Sequence, residues 1–290
     1  MKKNILLLLV LIVSAGTISA QAFLYQRCYY GKPYTHRPID TCKYVVTYNF
    51  RYYNDTSKKV ELHDLKDLEF GNKVIRYHSI WAEKMDSLGR VSEGYYSSFK
   101  KRLGLTNNQR PDWEDIYLNY PEKGTLFLSA LINRYDYCYV ESIPKLKWKI
   151  TRRIDTILGY KCYCATTDFM GRDYTAWFSP DITFSYGPYK FNGLPGLILK
   201  IQDSQKFFTW TAKSIYTPQN QKIYLDQAET VKKVTYKQYS KVLSLVWRDY
   251  ISLIQSQGDA VWGYTGKNGA RVQKKPGDVK YPQIPAIEIK

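Results

Sequence analysis

Between residues 125 and 216 the chain runs through one short alternating segment after another, with turn residues between them. This pattern confines it to a β-rich fold. Tyr135, Tyr137 and Tyr139 alternate, and Trp148 and Ile150 share one side of a segment over 147–151. Residues 161–169 lead into a turn at Met170-Gly171-Arg172 and return over 172–178. Residues 197–202 and 207–215 complete the set, joined at Asp203-Ser204-Gln205. Side chains two apart on a strand share a face, so short strands with close turns predict an antiparallel meander.

Earlier, Tyr44, Val46, Tyr48, Phe50 and Tyr52 alternate with Lys43, Val45, Thr47, Asn49 and Arg51, a half-buried strand over 43–53. Asn54-Asp55-Thr56-Ser57 is turn chemistry, and 74–79 reads as a second strand. Trp81, Met85 and Leu88 have helical spacing, which predicts a short helix in 81–103 although Gly89 and Gly94 interrupt it. Tyr239, Val242, Leu243, Val246, Trp247, Tyr250, Ile251 and Ile254 form one broad apolar stripe over 235–257. Thr235 with Gln238 fits a capping box and Gly258 a stop. The expected fold is therefore α+β: a curved antiparallel sheet with a C-terminal helix packed on it. Residues 263–290 read as an irregular tail.

The N-terminus has the order of an export signal: Lys2 and Lys3, an apolar run from Ile5 to Val13, then Ser14-Ala15-Gly16-Thr17. Cleavage after Ala22 puts Ala20 and Ala22 at the small-residue positions; cleavage after Ala20 is the alternative. The run is shorter than the roughly 20 residues a membrane span needs. The reading is a signal peptide over 1–22, one domain over 23–262 and the tail, with the mature chain in the periplasm. About 268 of the 290 residues remain, enough to bury a core. A formal charge of +17 argues for attraction to anionic envelope surfaces or for solubility. Nucleic acid is not the expected partner of an exported chain. Lys100-Lys101-Arg102 and Lys274-Lys275 read as solvated faces.

All five cysteines, Cys28, Cys42, Cys138, Cys162 and Cys164, follow the leader. An oxidising compartment permits disulfides, and an odd number leaves at least one thiol over. Cys28 and Cys42 are close enough in sequence to close a short loop. Cys138 pairs with Cys162 or Cys164 if their strands are neighbours. Cys162 and Cys164 lie two apart, on one strand face, and two thiolates side by side suit a soft metal such as copper(I).

One stretch has its own local logic: Gly187-Pro188-Tyr189-Lys190-Phe191-Asn192 followed by Gly193-Leu194-Pro195-Gly196-Leu197-Ile198. Leu194-Pro195-Gly196-Leu197 fits a type II turn, with proline presetting one φ and glycine supplying the positive one. Loops that cradle phosphate use other spacings and precede a helix; here a strand follows. Gly193 to Ile198 also spells the signature of the GLPGLI family of bacterial envelope proteins, which this chain resembles. Gly159-Tyr160-Lys161-Cys162 before Ala165-Thr166-Thr167, and Gly171-Arg172 before Ala176-Trp177-Phe178, are similar to that family's pattern. The resemblance covers residues 135–216 and implies an envelope location. It carries no activity and no catalytic residues. Cys164 departs from the pattern.

Enzyme motifs are sparse. His36, His63 and His78 have no metal-binding spacing, and His63-Asp64 faces no nucleophile elbow. Asp112, Glu114 and Asp115 beside Trp113 read as a solvated turn or helix start. No cofactor is expected. The 28 tyrosines and seven tryptophans suit a β-rich core, an interface or an apolar pocket. These features point to a non-enzymatic periplasmic binding or accessory protein, its partner an apolar ligand or an outer-membrane protein held on the sheet's concave face. The alternative is soft-metal handling by Cys162 and Cys164.

Overall fold

A computed structural model describes residues 34–53, 56–91, 96–132, 135–228, 230–248 and, further on, 252, 253, 255, 262–265 and 270–273. The leader, Cys28, Gly258 and Lys274-Lys275 lie outside the described residues, as do the side chains of Trp247, Tyr250, Ile251 and Ile254.

Sixteen strands and three helices are described. β1 (Tyr34–Thr41) pairs with β13 (Lys222–Ala228) as a separate two-stranded sheet. The main sheet has twelve strands in the order β14-β7-β6-β5-β4-β3-β2-β12-β11-β10-β9-β8. It is two meanders. The first runs β2 (Tyr44–Tyr53), β3 (Glu61–Phe70), β4 (Ile75–Ser79), β5 (Glu114–Leu118), β6 (Thr125–Ile132) and β7 (Tyr135–Ser142). The second runs β8 (Lys149–Ile157), β9 (Tyr160–Phe169), β10 (Arg172–Ser179), β11 (Leu197–Asp203) and β12 (Phe208–Tyr216). They meet where β12 pairs antiparallel with β2. Every pairing is antiparallel except that of β14 (Lys232–Lys233) with β7.

The hairpins follow from local chemistry. Met170-Gly171 and Leu158-Gly159 are two-residue loops with positive φ at both positions, the type I′ geometry whose twist matches antiparallel strands. The sheet is curved, and connectivity says why. β7 and β8 are ten strand positions apart, about 48 Å in a flat sheet. Residues 143–148 join them and reach at most about 25 Å. The sheet therefore bends back on itself and acquires an inner and an outer side.

The half-buried reading of 43–53 needs correction. Val45, Val46, Thr47 and Tyr48 are all buried, because β2 sits mid-sheet with material on both sides. The 81–103 region is two helices, α1 (Ile80–Val91) and α2 (Tyr96–Arg102). Ser79 caps α1, its Oγ accepting from the Ala82 amide at 3.1 Å. α3 (Tyr236–Arg248) opens on the expected capping box. The Thr235 amide donates to Gln238 Oε1 at 2.8 Å, and the Gln238 amide donates to Thr235 Oγ1 at 3.3 Å. Its first turn packs on the sheet through Tyr236 and Tyr239, whose rings contact Tyr139.

The described residues up to Tyr239 form one compact unit and those from Ser240 onward another. The second holds the rest of α3 and an antiparallel pair, β15 (Trp262–Thr265) with β16 (Ala270–Gln273). The tail is therefore not irregular throughout.

Candidate functional site

The inner side of the curl is filled by the chain's own signature stretch. Phe191 packs edge-on against Tyr174, Phe169 and Trp210, and Tyr189 stacks on Trp210. Phe184, earlier in the same connection, stacks on Phe70. Phe191, Leu194, Leu197, Ile198 and Trp210 are essentially inaccessible to solvent. The Trp210 indole donates to Tyr77 Oη at 2.8 Å, and Tyr48 donates to the Ile198 carbonyl at 2.7 Å. The Trp148 indole donates to the Asn192 carbonyl, and Asn192 donates to the Pro144 carbonyl, tying the stretch to the β7–β8 link. The concave face expected to hold an apolar ligand is thus occupied.

The type II turn is not formed. Leu197 donates to the Ile182 carbonyl rather than to Leu194, and Gly196 has φ 147°. A Cβ at Gly196 would stand 2.1 Å from the Ser179 carbonyl oxygen. Glycine is needed because two backbones touch there, so the close approach is to the protein itself.

Lys190, from the same stretch, is 1% exposed. It donates to Tyr139 Oη at 2.9 Å and Glu141 Oε1 at 3.0 Å and lies over the rings of Tyr139, Tyr189 and Tyr236. A second inward group begins at β3. Lys66 bridges Asp64 at 3.3 Å and Asp112 at 3.0 Å, while Ser79 donates to Asp64 at 2.8 Å. Burial pushes Asp64 up to about 7, against the pull of Lys66. Burial opposes the Lys66 charge, but Asp112 and Asp64 hold it above the usual lysine range. Glu114 accepts from Tyr239 at 2.7 Å; burial, then Asp112, raise it to about 7. Asp112-Trp113-Glu114-Asp115 is therefore no solvated turn. It leads into β5, and Asp115 is buried on the opposite face.

A third cluster lies on the outer side, under α1 and the β1–β13 pair. Arg76 meets Asp226 at 3.0 Å, Glu83 and Asp115 at 3.6 Å and Glu69 at 3.7 Å. His36 stacks on Tyr224 and contacts Asp226 at 2.5 Å. His78, 2% exposed, stands 3.2 Å from Glu83 and 3.6 Å from Glu69. Burial and Arg76 push its proton off, but Glu83 and Glu69 outweigh them and raise it to about 9. A cavity of about 10 Å³ opens among Arg76, Glu83, Asp86, Asp115 and Asp226, the room of a single water. His63 does not orient Asp64. The two point to opposite faces of β3, and His63 meets Glu61 at 3.2 Å.

Cys42, Cys138, Cys162 and Cys164 are all free and buried, so the expected Cys138 bridge to β9 is not made. Cys138 lies on β7 and Cys162 and Cys164 on β9, nine strand positions away. Burial raises Cys162 to about 11, which disfavours the thiolate a metal would bind. Among the described residues no group of three or more Cys, His, Asp or Glu is placed to hold a metal ion.

What remains open to solvent is the β8–β12 half. β8 closes the sheet, and nearly every residue in it is exposed, including Ile150 (57%) and Ile154 (56%). Among the described residues no strand pairs with its outer edge. Lys149, Arg152 and Arg153 make it basic. No described helix is long and apolar enough to cross a membrane.

Residues 170–200 match the model of a family described as a protein of unknown function (Porph_ging). The match covers β10, the signature stretch and the first residues of β11. No curated protein matches. Among solved structures the chain is similar to PNGF-II in its P21 and C2 crystal forms, at 15% identity and a TM-score of 0.46. The similarity covers 71% of this chain but only 34% and 33% of those chains, so this chain spans about a third of their length.

Proposed function

We propose that this chain is a non-enzymatic accessory protein of the bacterial periplasm that engages an outer-membrane protein by adding a strand to β8. The exposed edge of β8, with Ile150 and Ile154 standing in solvent, carries the reading. An unpaired edge offers main-chain donors and acceptors, and alternate side chains supply specificity. The register shift between Ile150 and Ile154 and the adjacent Arg152 and Arg153 oppose pairing of two copies, because like charges would face each other. They favour a partner strand with acidic residues.

Three further features support the reading. The inner side is filled by the chain's own stretch, the buried Lys66 and Arg76 face carboxylates, and the N-terminus has the order of an export signal with cleavage near Ala20 or Ala22. The test is a photo-cross-linking residue placed at Ile150 or Ile154 in intact cells, with Val60, exposed elsewhere, as the control. A discrete adduct with one outer-membrane protein from the β8 positions alone is the expected result. The same adducts from Val60, or none from β8, would sink the proposal. N-terminal sequencing of the mature chain checks the cleavage site.

A further inference from the structure

The outer faces of the two meanders differ in what they offer. On the first, the outer face beyond β2 is largely sealed beneath α1 and β13. On the second it is open, and its register lines up polar residues in rows. Directly opposed residues of antiparallel strands share a face. One row runs Trp177, Lys200, Thr211, Asn49 across β10, β11, β12 and β2. The next runs Thr166, Thr175, Gln202, Thr209, Arg51 from β9 to β2. Except for Thr209, all of these are partly or fully exposed.

Two details mark this face as more than a solvated surface. Lys200 Nζ lies 4.8 Å from the centre of the Trp177 ring and the Arg153 guanidinium 5.9 Å, so one indole is in cation–π range of two cations. In the adjoining row, Thr209 is 5% exposed, and its hydroxyl has no hydrogen-bond partner among the described residues. Buried hydroxyls are ordinarily paired. Here the hydroxyl sits between Gln202 and Arg51, on the side that faces outward.

We propose that the outer face of β9–β12 and β2 binds an acidic polysaccharide, with a sugar carboxylate between Lys200 and Arg153. Ring hydroxyls would meet Thr175, Gln202, Thr209 and Thr211. The charge is complementary, since Lys200 and Arg153 project from this patch, while Arg51 at its edge is paired with Glu61 at 3.2 Å. A flat array of hydroxyls and amides suits a ligand made of hydroxyls. A lipid surface would need apolar side chains to insert, and these rows present one indole, already flanked by cations. From β10 to β2 is three strand spacings, about 14 Å, a width that suits a short oligosaccharide.

Calorimetric titration of the full chain with oligogalacturonate tests this, with neutral maltooligosaccharide and polyphosphate as comparators. Oligogalacturonate should bind, maltooligosaccharide should not, and polyphosphate should bind at least about tenfold more weakly. Lys200→Gln and Trp177→Ala should each weaken oligogalacturonate binding about tenfold or more, and Thr209→Val several-fold, with unchanged thermal melting for the Lys200 variant. Equal affinity for polyphosphate would mean charge alone and would overturn the proposal. So would no oligogalacturonate binding, or binding that survives Lys200→Gln and Trp177→Ala intact. An Ile150→Asp variant, which breaks the β8 edge, should bind oligogalacturonate normally, so this face and the edge fail separately.

Discussion

The two meanders of the main sheet are built alike and finish differently. Over most of the β2–β7 half, from β3 to β6, both faces are covered, and the covered outer face contains charge: Arg76 and His78 among Glu69, Glu83, Asp115 and Asp226. In the β8–β12 half the inner face is covered by Phe191 and its neighbours, while the outer face carries threonine, glutamine and lysine in contact with water. Charge under cover must be matched, because desolvating an ion costs several kcal/mol unless a partner faces it. Hydroxyls in water carry no such obligation. The first half thus relies mainly on pairing and the second mainly on packing from one side, with the buried Arg172–Asp203 pair at 3.0 Å near the β9–β10 turn, and mutations should expose that difference.

The largest effect is expected at Arg76. Arg76→Ala leaves Glu69, Asp115 and Asp226 facing one another under cover and should cost about 3–5 kcal/mol in denaturant unfolding. A loss below about 1 kcal/mol would show that water reaches the cluster and that the contrast between the halves is false. Phe191→Ala, in the packed interior of the second half, should cost about 3 kcal/mol and leave the dependence on pH unchanged.

The pH dependence itself sharpens the contrast. His78 is held at about 9 against an ordinary 6.5, so its contribution is complete below about 6.5 and is lost as pH rises toward 9. Asp64 and Glu114, raised to about 7, favour folding when protonated and weaken it as pH climbs from about 4 to 7. Melting temperature should therefore fall between pH 6.5 and 9, by the equivalent of at least about 1 kcal/mol. His78→Gln should flatten that slope. A slope unchanged in the variant would reassign it to other groups. The smallest effect is expected on the open face, where Thr175→Ala should change stability by no more than about 0.5 kcal/mol.

The same contrast explains what the sequence disclosed. β7 and β9–β12 were legible because apolar residues face inward at every second position, and α3 because Thr235 and Gln238 announce its start. β3 was not legible: Asp64 and Lys66 occupy inward positions between Leu62 and Leu68, and the alternation disappears. β5 was hidden in the same way by Glu114 and Asp115. Paired buried charge looks like solvated charge until its partner is known, and partners such as Arg76 and Asp226 are 150 residues apart. β13 did carry a signal, Ile223 and Leu225 two apart, that length alone made easy to overlook. The signature stretch could be located but not understood. Its glycine spacing fits a turn, whereas its role depends on Ser179, with which Gly196 is in backbone contact.

The seam between the meanders has a consequence for assembly. β2 spans residues 44–53 and its neighbour β12 residues 208–216. The other neighbours within the first meander follow one another in sequence, the widest separation being Ile75 with Leu118 across α1 and α2, so that half can zip up before the seam closes, as contacts of shorter sequence separation do. Until β12 arrives, the long β-branched and aromatic edge of β2 is an open template for pairing with another chain. A protein folded in this order depends on speed of completion, and its time of greatest exposure to aggregation is the interval between making the first half and closing the seam.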